Sequence, residues 1–73
     1  MTYTIYFDKT ANSKPYSIHL GTDWFYTAID FAATYEKAVE IATTYAKASR
    51  RNGTPRVLYT EGLFAKAVEI AIN

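Results

Sequence analysis

The 73-residue chain predicts a small α+β domain: an antiparallel sheet with helices packed on one face, in the order β-β-β-α-β-α. Three observations lead there. Residues 2–8 and 16–21 alternate apolar and polar side chains with a period of two. Residues 34–51 repeat with a helical period and carry capping residues at both ends. Turn-forming residues separate the elements, and the length suffices for one domain spanning 1–73.

In the first strand Tyr3, Ile5 and Phe7 share a face, opposite Thr2, Thr4, Tyr6 and Asp8. Lys9 to Pro15 is polar and turn-rich, which reads as a loop. Tyr16, Ile18 and Leu20 then alternate with Ser17, His19 and Gly21, so a second strand closes a hairpin on the first. For Asp23 to Ala33 a helix continuous with the following one would put Phe25 and Ile29 on its charged face. Aromatic and β-branched content favours a third strand instead. Its register sets Phe25, Thr27, Ile29 and Phe31 on one side and Trp24, Tyr26, Ala28 and Asp30 on the other.

Thr34 to Gly53 is the clearest helix. Tyr35, Ala38, Val39, Ile41, Ala42, Tyr45, Ala46 and Ala48 fall on one half of its wheel, with Glu36, Lys37, Glu40, Thr43, Thr44, Lys47, Arg50 and Arg51 on the other. Thr34 is placed to cap the first turn. Glu36 and Glu40 lie toward the positive end of the helix dipole, and Lys47, Arg50 and Arg51 toward its negative end. Asn52-Gly53 supplies the stop. Arg56 to Thr60 reads as a strand, broken by Glu61-Gly62. The last stretch repeats Lys37-Ala38-Val39-Glu40-Ile41-Ala42 as Lys66-Ala67-Val68-Glu69-Ile70-Ala71. A hairpin turning about Glu61-Gly62 would set Val57 beside Lys66 and mix the two faces. A closing helix is therefore expected, with a strand as the alternative.

Composition narrows the function classes. The chain has no cysteine and a single histidine, His19, so disulfides, thiolate metal sites and a multi-histidine metal site within one chain are excluded. No cofactor is expected. Eight basic residues against seven acidic ones give no long-range pull toward nucleic acid or membrane. The N-terminus lacks a signal-peptide pattern, and no run approaches the ~20 apolar residues of a spanning helix. A cytoplasmic location is expected. A chain this short buries only ~60% of its unfolded surface, which leaves a thin core and invites association, a second copy included. Twelve aromatics, seven of them tyrosines, suit both thin cores and interfaces.

Catalytic signals are weak. Gly21, Gly53 and Gly62 are isolated, so no phosphate loop is present. Asp8, Asp23 and Asp30 do not match a calcium loop. His19 could pair with Asp23 or Asp30, but Ser17 is read as facing away from it, and the expectation is a solvated strand histidine in a non-enzymatic chain. Two surfaces remain. If Tyr3, Ile5 and Phe7 meet the helices, Tyr6 and His19 point outward on an open sheet face, and Trp24 and Tyr26 join them in the register above. The competing surface is the basic group Lys47, Arg50, Arg51 and Arg56, whose ordinary role is dipole complementation.

The run Thr34-Tyr35-Glu36-Lys37-Ala38-Val39-Glu40-Ile41-Ala42, then Arg51-Asn52-Gly53 and Arg56-Val57-Leu58-Tyr59, resembles small bacterial β-β-α-β domains of unknown function across about half the chain. Size and tyrosine content are similar in type to phage-encoded inhibitors of bacterial defence, anti-CRISPR proteins among them. The weak catalytic signals and the aromatic surplus lead to the expectation of a non-enzymatic protein-binding module, and the similarity in type implies a small inhibitor as its narrower form. The alternative is a nucleic-acid-binding domain that uses sheet aromatics and the basic helix end.

Overall fold

The computed structural model describes residues 2–10, 13–21, 28–48, 54–61 and 66–72. The chain runs β1 (Thr2–Phe7), β2 (Tyr16–Leu20), β3 (Asp30–Ala32), α1 (Tyr35–Ala48), β4 (Arg56–Thr60) and β5 (Val68–Ile70). The five strands form one sheet in the order β3-β2-β1-β4-β5. The α+β class and the helix laid on one sheet face are as the alternation and the wheel predict.

Two features of the topology differ from expectation. The sheet is mixed: β1 pairs antiparallel with β2 but parallel with β4, Ile5 beside Tyr59. α1 returns the chain from β3 on one side of β1 to β4 on the other, and such a crossover permits parallel pairing. The last element is a strand rather than a helix. β5 pairs with β4 through Val57 beside Ile70, Leu58 beside Glu69 and Tyr59 beside Val68. The pairing lies four residues beyond the one about Glu61-Gly62, so apolar Ile70, not Lys66, meets Val57 and the faces do not mix.

The core lies between α1 and the inner face of the sheet. Tyr3, Ile5, Ile18, Ala32 and Val57 come from the strands, and Ala38, Ala42 and Ala46 from the helix. The alanines recur every four residues and bring the helix backbone close to the strands. The larger residues of the same half, Val39 and Ile41, flank this stripe half-buried, while Tyr35 and Tyr45 stand partly exposed at its two ends. Ile41 is thus a border residue rather than the centre of the core. Thr34 caps the helix as expected, its hydroxyl oxygen accepting from the Lys37 N–H at 3.2 Å. Asn52-Gly53, placed as the helix stop, lies outside the described residues.

β3 confirms a strand at the end of the Asp23–Ala33 stretch but reverses its faces. Ala32 is buried against α1, whereas Phe31 pairs with Ser17 and points away from the helix. A small alanine fits under α1 where a phenylalanine would not.

Candidate functional site

The outer sheet face, the one away from α1, is laid out by register. Tyr6 stands between Ser17 on β2 and Thr60 on β4, and Thr4 between His19 and Leu58. Phe31 extends the first row on β3. The same register carried one residue further sets Ile29 beside His19, and the Ile29 N–H donates to the Ile18 carbonyl at 2.8 Å. Tyr6 and His19 therefore do share the outward face, and their rings meet edge to face at 4.9 Å. Trp24 and Tyr26, the other two residues expected here, lie outside the described residues.

This face is not open across its middle. Thr4, His19 and Thr60 are 2%, 8% and 4% exposed, close to the burial of the helix side. His19 is thus a buried residue rather than a solvated one, and its polar atoms are engaged. Ser17 and His19 are two residues apart, hence on one side of the strand, and the Ser17 hydroxyl lies 2.9 Å from His19 Nε2. The expectation that Ser17 faces away is corrected by that spacing. The Thr4 hydroxyl donates to the Gly21 carbonyl, where the chain leaves β2 with Gly21 at φ +79°. The exposed large apolar residues of this face are at the β3 edge: Ile29 is 41% and Phe31 51% exposed. The pattern rule finds such residues only once the parity of β3 is known.

Asp30 does not reach His19. It lies on the helix side, where Oδ1 accepts from the Phe31 N–H at 2.8 Å and Oδ2 makes a long 3.5 Å contact with the Tyr45 hydroxyl. Asp23, the other carboxylate considered, lies outside the described residues. Among the described residues no group of three histidine, cysteine, aspartate or glutamate side chains is placed to hold a metal.

The basic cluster is only partly described, since Arg50 and Arg51 lie outside the described residues. The two described members do not converge. Arg56 alternates with the buried Val57 and so points to the outer face, whereas Lys47 is in the last turn of α1 on the other side. The Arg56 guanidinium donates to Glu69 Oε1 at 2.9 Å. This hydrogen bond, and then the charge of its partner, holds the Glu69 carboxyl below and the Arg56 guanidinium above their ordinary ranges.

A second concentration of aromatic residues was not singled out by the strand pattern. Phe7 at the end of β1, Tyr16 at the start of β2, Tyr35 at the start of α1 and Tyr59 near the end of β4 meet at one end of the molecule. Tyr35 and Tyr59 stack edge to face at 5.2 Å and 85°, and Tyr16 lies 6.2 Å from the first and 6.5 Å from the second. Phe7 closes on Tyr16 at 5.0 Å. Burial, then the charge of Glu61, then the Tyr16 and Tyr35 hydroxyls push the Tyr59 phenol above its usual range. The signal for this cluster exists in the sequence only as a surplus of tyrosine. Its members come from four elements and are joined by the parallel pairing.

No family model matches the chain, and neither a curated protein nor a solved structure matches it at a significant level. Among the described residues no helix is long and apolar enough to cross a membrane.

Proposed function

We propose that the chain is a non-enzymatic protein-binding module whose contact surface is the outer sheet face at the β3 edge. One observation carries this reading: Phe31 on the edge strand and Ile29 just before it stand exposed on one face, in line with Tyr6 and the Ser17–His19 pair. Apolar side chains of this size at a sheet edge favour a partner that removes them from water, and aromatic residues are enriched where interfaces bury most. The buried polar centre behind them is held by its own hydrogen bonds, so it offers a firm backing rather than a reactive pocket. The nucleic-acid alternative is weakened by the geometry of Arg56 and Lys47, which lie on opposite sides of the sheet, with Arg56 occupied by Glu69. The narrower reading, a phage-type inhibitor of a defence complex such as CRISPR, is supported by small size and tyrosine content alone.

The test compares the tagged chain with its Ile29→Ala and Phe31→Ala variants in capture of host-cell proteins, with Val68→Ala as control. Val68 is 62% exposed but sits on β5, at the far edge of the sheet. The expected result is that either β3 change weakens capture about tenfold or more while the fold persists, because exposed anchors of this kind dominate interfaces. Val68→Ala should leave capture intact. Unchanged capture by both β3 variants would overturn the assignment. A retained species that proves to be nucleic acid, lost steeply as salt rises, would replace it with the alternative.

A further inference from the structure

We infer that the tyrosine cluster at the carboxyl ends of β1 and β4 is a second binding site, one that accepts a guanidinium group, best supplied by an arginine side chain of a partner protein. The inference rests on the protein-binding reading in naming that source, but it uses none of the outer-face residues.

The first argument is position. The chain leaves β1 toward β2 and β3 on one side, then returns through α1 to β4 on the other. β1 and β4 are parallel neighbours whose connections depart in opposite directions. The carboxyl ends of the two strands therefore lie side by side. Phe7 and Tyr59 mark those ends, and Tyr35 opens α1 beside them.

The second argument is ring geometry. In an edge-to-face pair the face of one ring and the face of the other bound a right-angled corner, and Tyr35 and Tyr59 form such a pair at 85°. Tyr16 stands close to both. The three centroids are near enough that a cation seated over them lies within the ~6 Å at which a positive charge and an aromatic face attract. Tyr35 is 38% exposed, so the cluster is reachable from solvent.

The third argument is charge. Glu61 follows β4 directly, is exposed, and acts on the Tyr59 hydroxyl. The start of α1 would by itself favour an anion, with about half a positive charge. Glu36 in the first helical turn offsets that charge, Lys37 beside it is paired with Glu40, and Glu61 is the carboxylate that acts on the rings themselves. A cation is therefore the better occupant. Arginine fits better than lysine, because a planar guanidinium stacks on a ring and presents two parallel donors to a carboxylate.

The test titrates the intact chain with a glycine–arginine–glycine amide and with its neutral citrulline counterpart, following the tyrosine ring protons by NMR. The expected result is a saturable shift of the Tyr35 and Tyr59 resonances with the arginine peptide, and binding of the citrulline peptide about tenfold weaker or more. Glu61→Gln should weaken arginine binding about three- to tenfold. Tyr35→Phe should bind as the wild type does, because the ring face supplies the attraction, while Tyr35→Leu should lose most of it. Phe31→Ala should bind arginine normally. Equal response to the two peptides, no saturable shift, an unaffected Glu61→Gln, or equal loss in Tyr35→Phe and Tyr35→Leu would overturn the site. Those failures leave the β3-edge reading standing, since that reading is decided by the Ile29 and Phe31 variants.

Discussion

The side chains with most to say about this molecule are its tyrosines, which play different parts according to what their hydroxyls meet. Tyr3 is 5% exposed and packs on Tyr45 at 5.8 Å, sealing one end of the helix–sheet layer. Tyr6 faces the other way and braces His19. Tyr59 has an ionisation coupled to folding. Burial, with Glu61 and the neighbouring phenols Tyr16 and Tyr35, raises its pKa above the ordinary 10.0. The folded chain therefore keeps the proton more firmly than the unfolded one, and stability is lost as pH rises from that ordinary value through the folded one. A Tyr59→Phe variant cannot release a proton there. Its melting temperature should fall less than that of the wild type between neutral and strongly alkaline pH. Parallel losses in both proteins would show that the Tyr59 hydroxyl is not the source.

The elements show how much a segment's structure depends on its neighbours. The hexamer Lys-Ala-Val-Glu-Ile-Ala is helical at 37–42, and at 66–71 it supplies the three residues of β5. In α1, Ala38 and Ala42 press on the sheet at 0% exposure and Lys37 pairs with Glu40 one turn on, at 3.3 Å. In the second copy the alternation takes over: Ile70 turns to the core, Glu69 bonds Arg56, and Ala67 and Ala71 are exposed. A helix there would leave the edge of β4 without hydrogen-bond partners, and β5 supplies them. Equivalent positions in the two copies should therefore respond oppositely. Ala38→Glu puts an unpaired carboxylate into the core and should cost several kcal/mol, roughly enough to unfold a marginal domain. Ala67→Glu should shift stability by about 0.5 kcal/mol or less, as surface changes do. Denaturant midpoints of the two variants decide the matter; similar losses would mean that Ala67 also packs against the fold.

At the scale of the whole molecule the thin core sets the terms. Among the described residues its largest fully buried side chains are Ile18, Ile5 and Val57, on the adjacent strands β2, β1 and β4 respectively. Ile5 is beside both Ile18 and Tyr59, so it joins the antiparallel half of the sheet to the parallel half. Truncating it leaves a cavity where both halves and the helix meet. Ile5→Ala should cost about 2–5 kcal/mol, a large part of the roughly 5–15 kcal/mol that holds such a domain together. Ile41→Ala, at the half-buried border of the same layer, should cost distinctly less. Chemical denaturation of the pair measures the difference, and equal midpoints would contradict a core centred on β1.

Periodicity alone determined the first two strands, the face each turns to the helix, the helix with its Thr34 cap and alanine stripe, and the strand at Arg56–Thr60. These follow from spacing within one segment, where the nearest neighbours in sequence are also those that decide the geometry. It likewise places Tyr6 and His19 on the outer face, but the Ser17–His19 contact and the burial of His19 emerge only in the folded sheet. Three things needed the tertiary structure. Phe31 faces outward because only Ala32 fits beneath α1. The final hexamer supplies a strand because β4 had an edge to satisfy. Phe7, Tyr16, Tyr35 and Tyr59 form one cluster because the crossover sets β4 parallel to β1. Each of these is settled by contacts between residues far apart in the chain, and a local pattern carries no record of which distant edge or surface will be left in need of a partner.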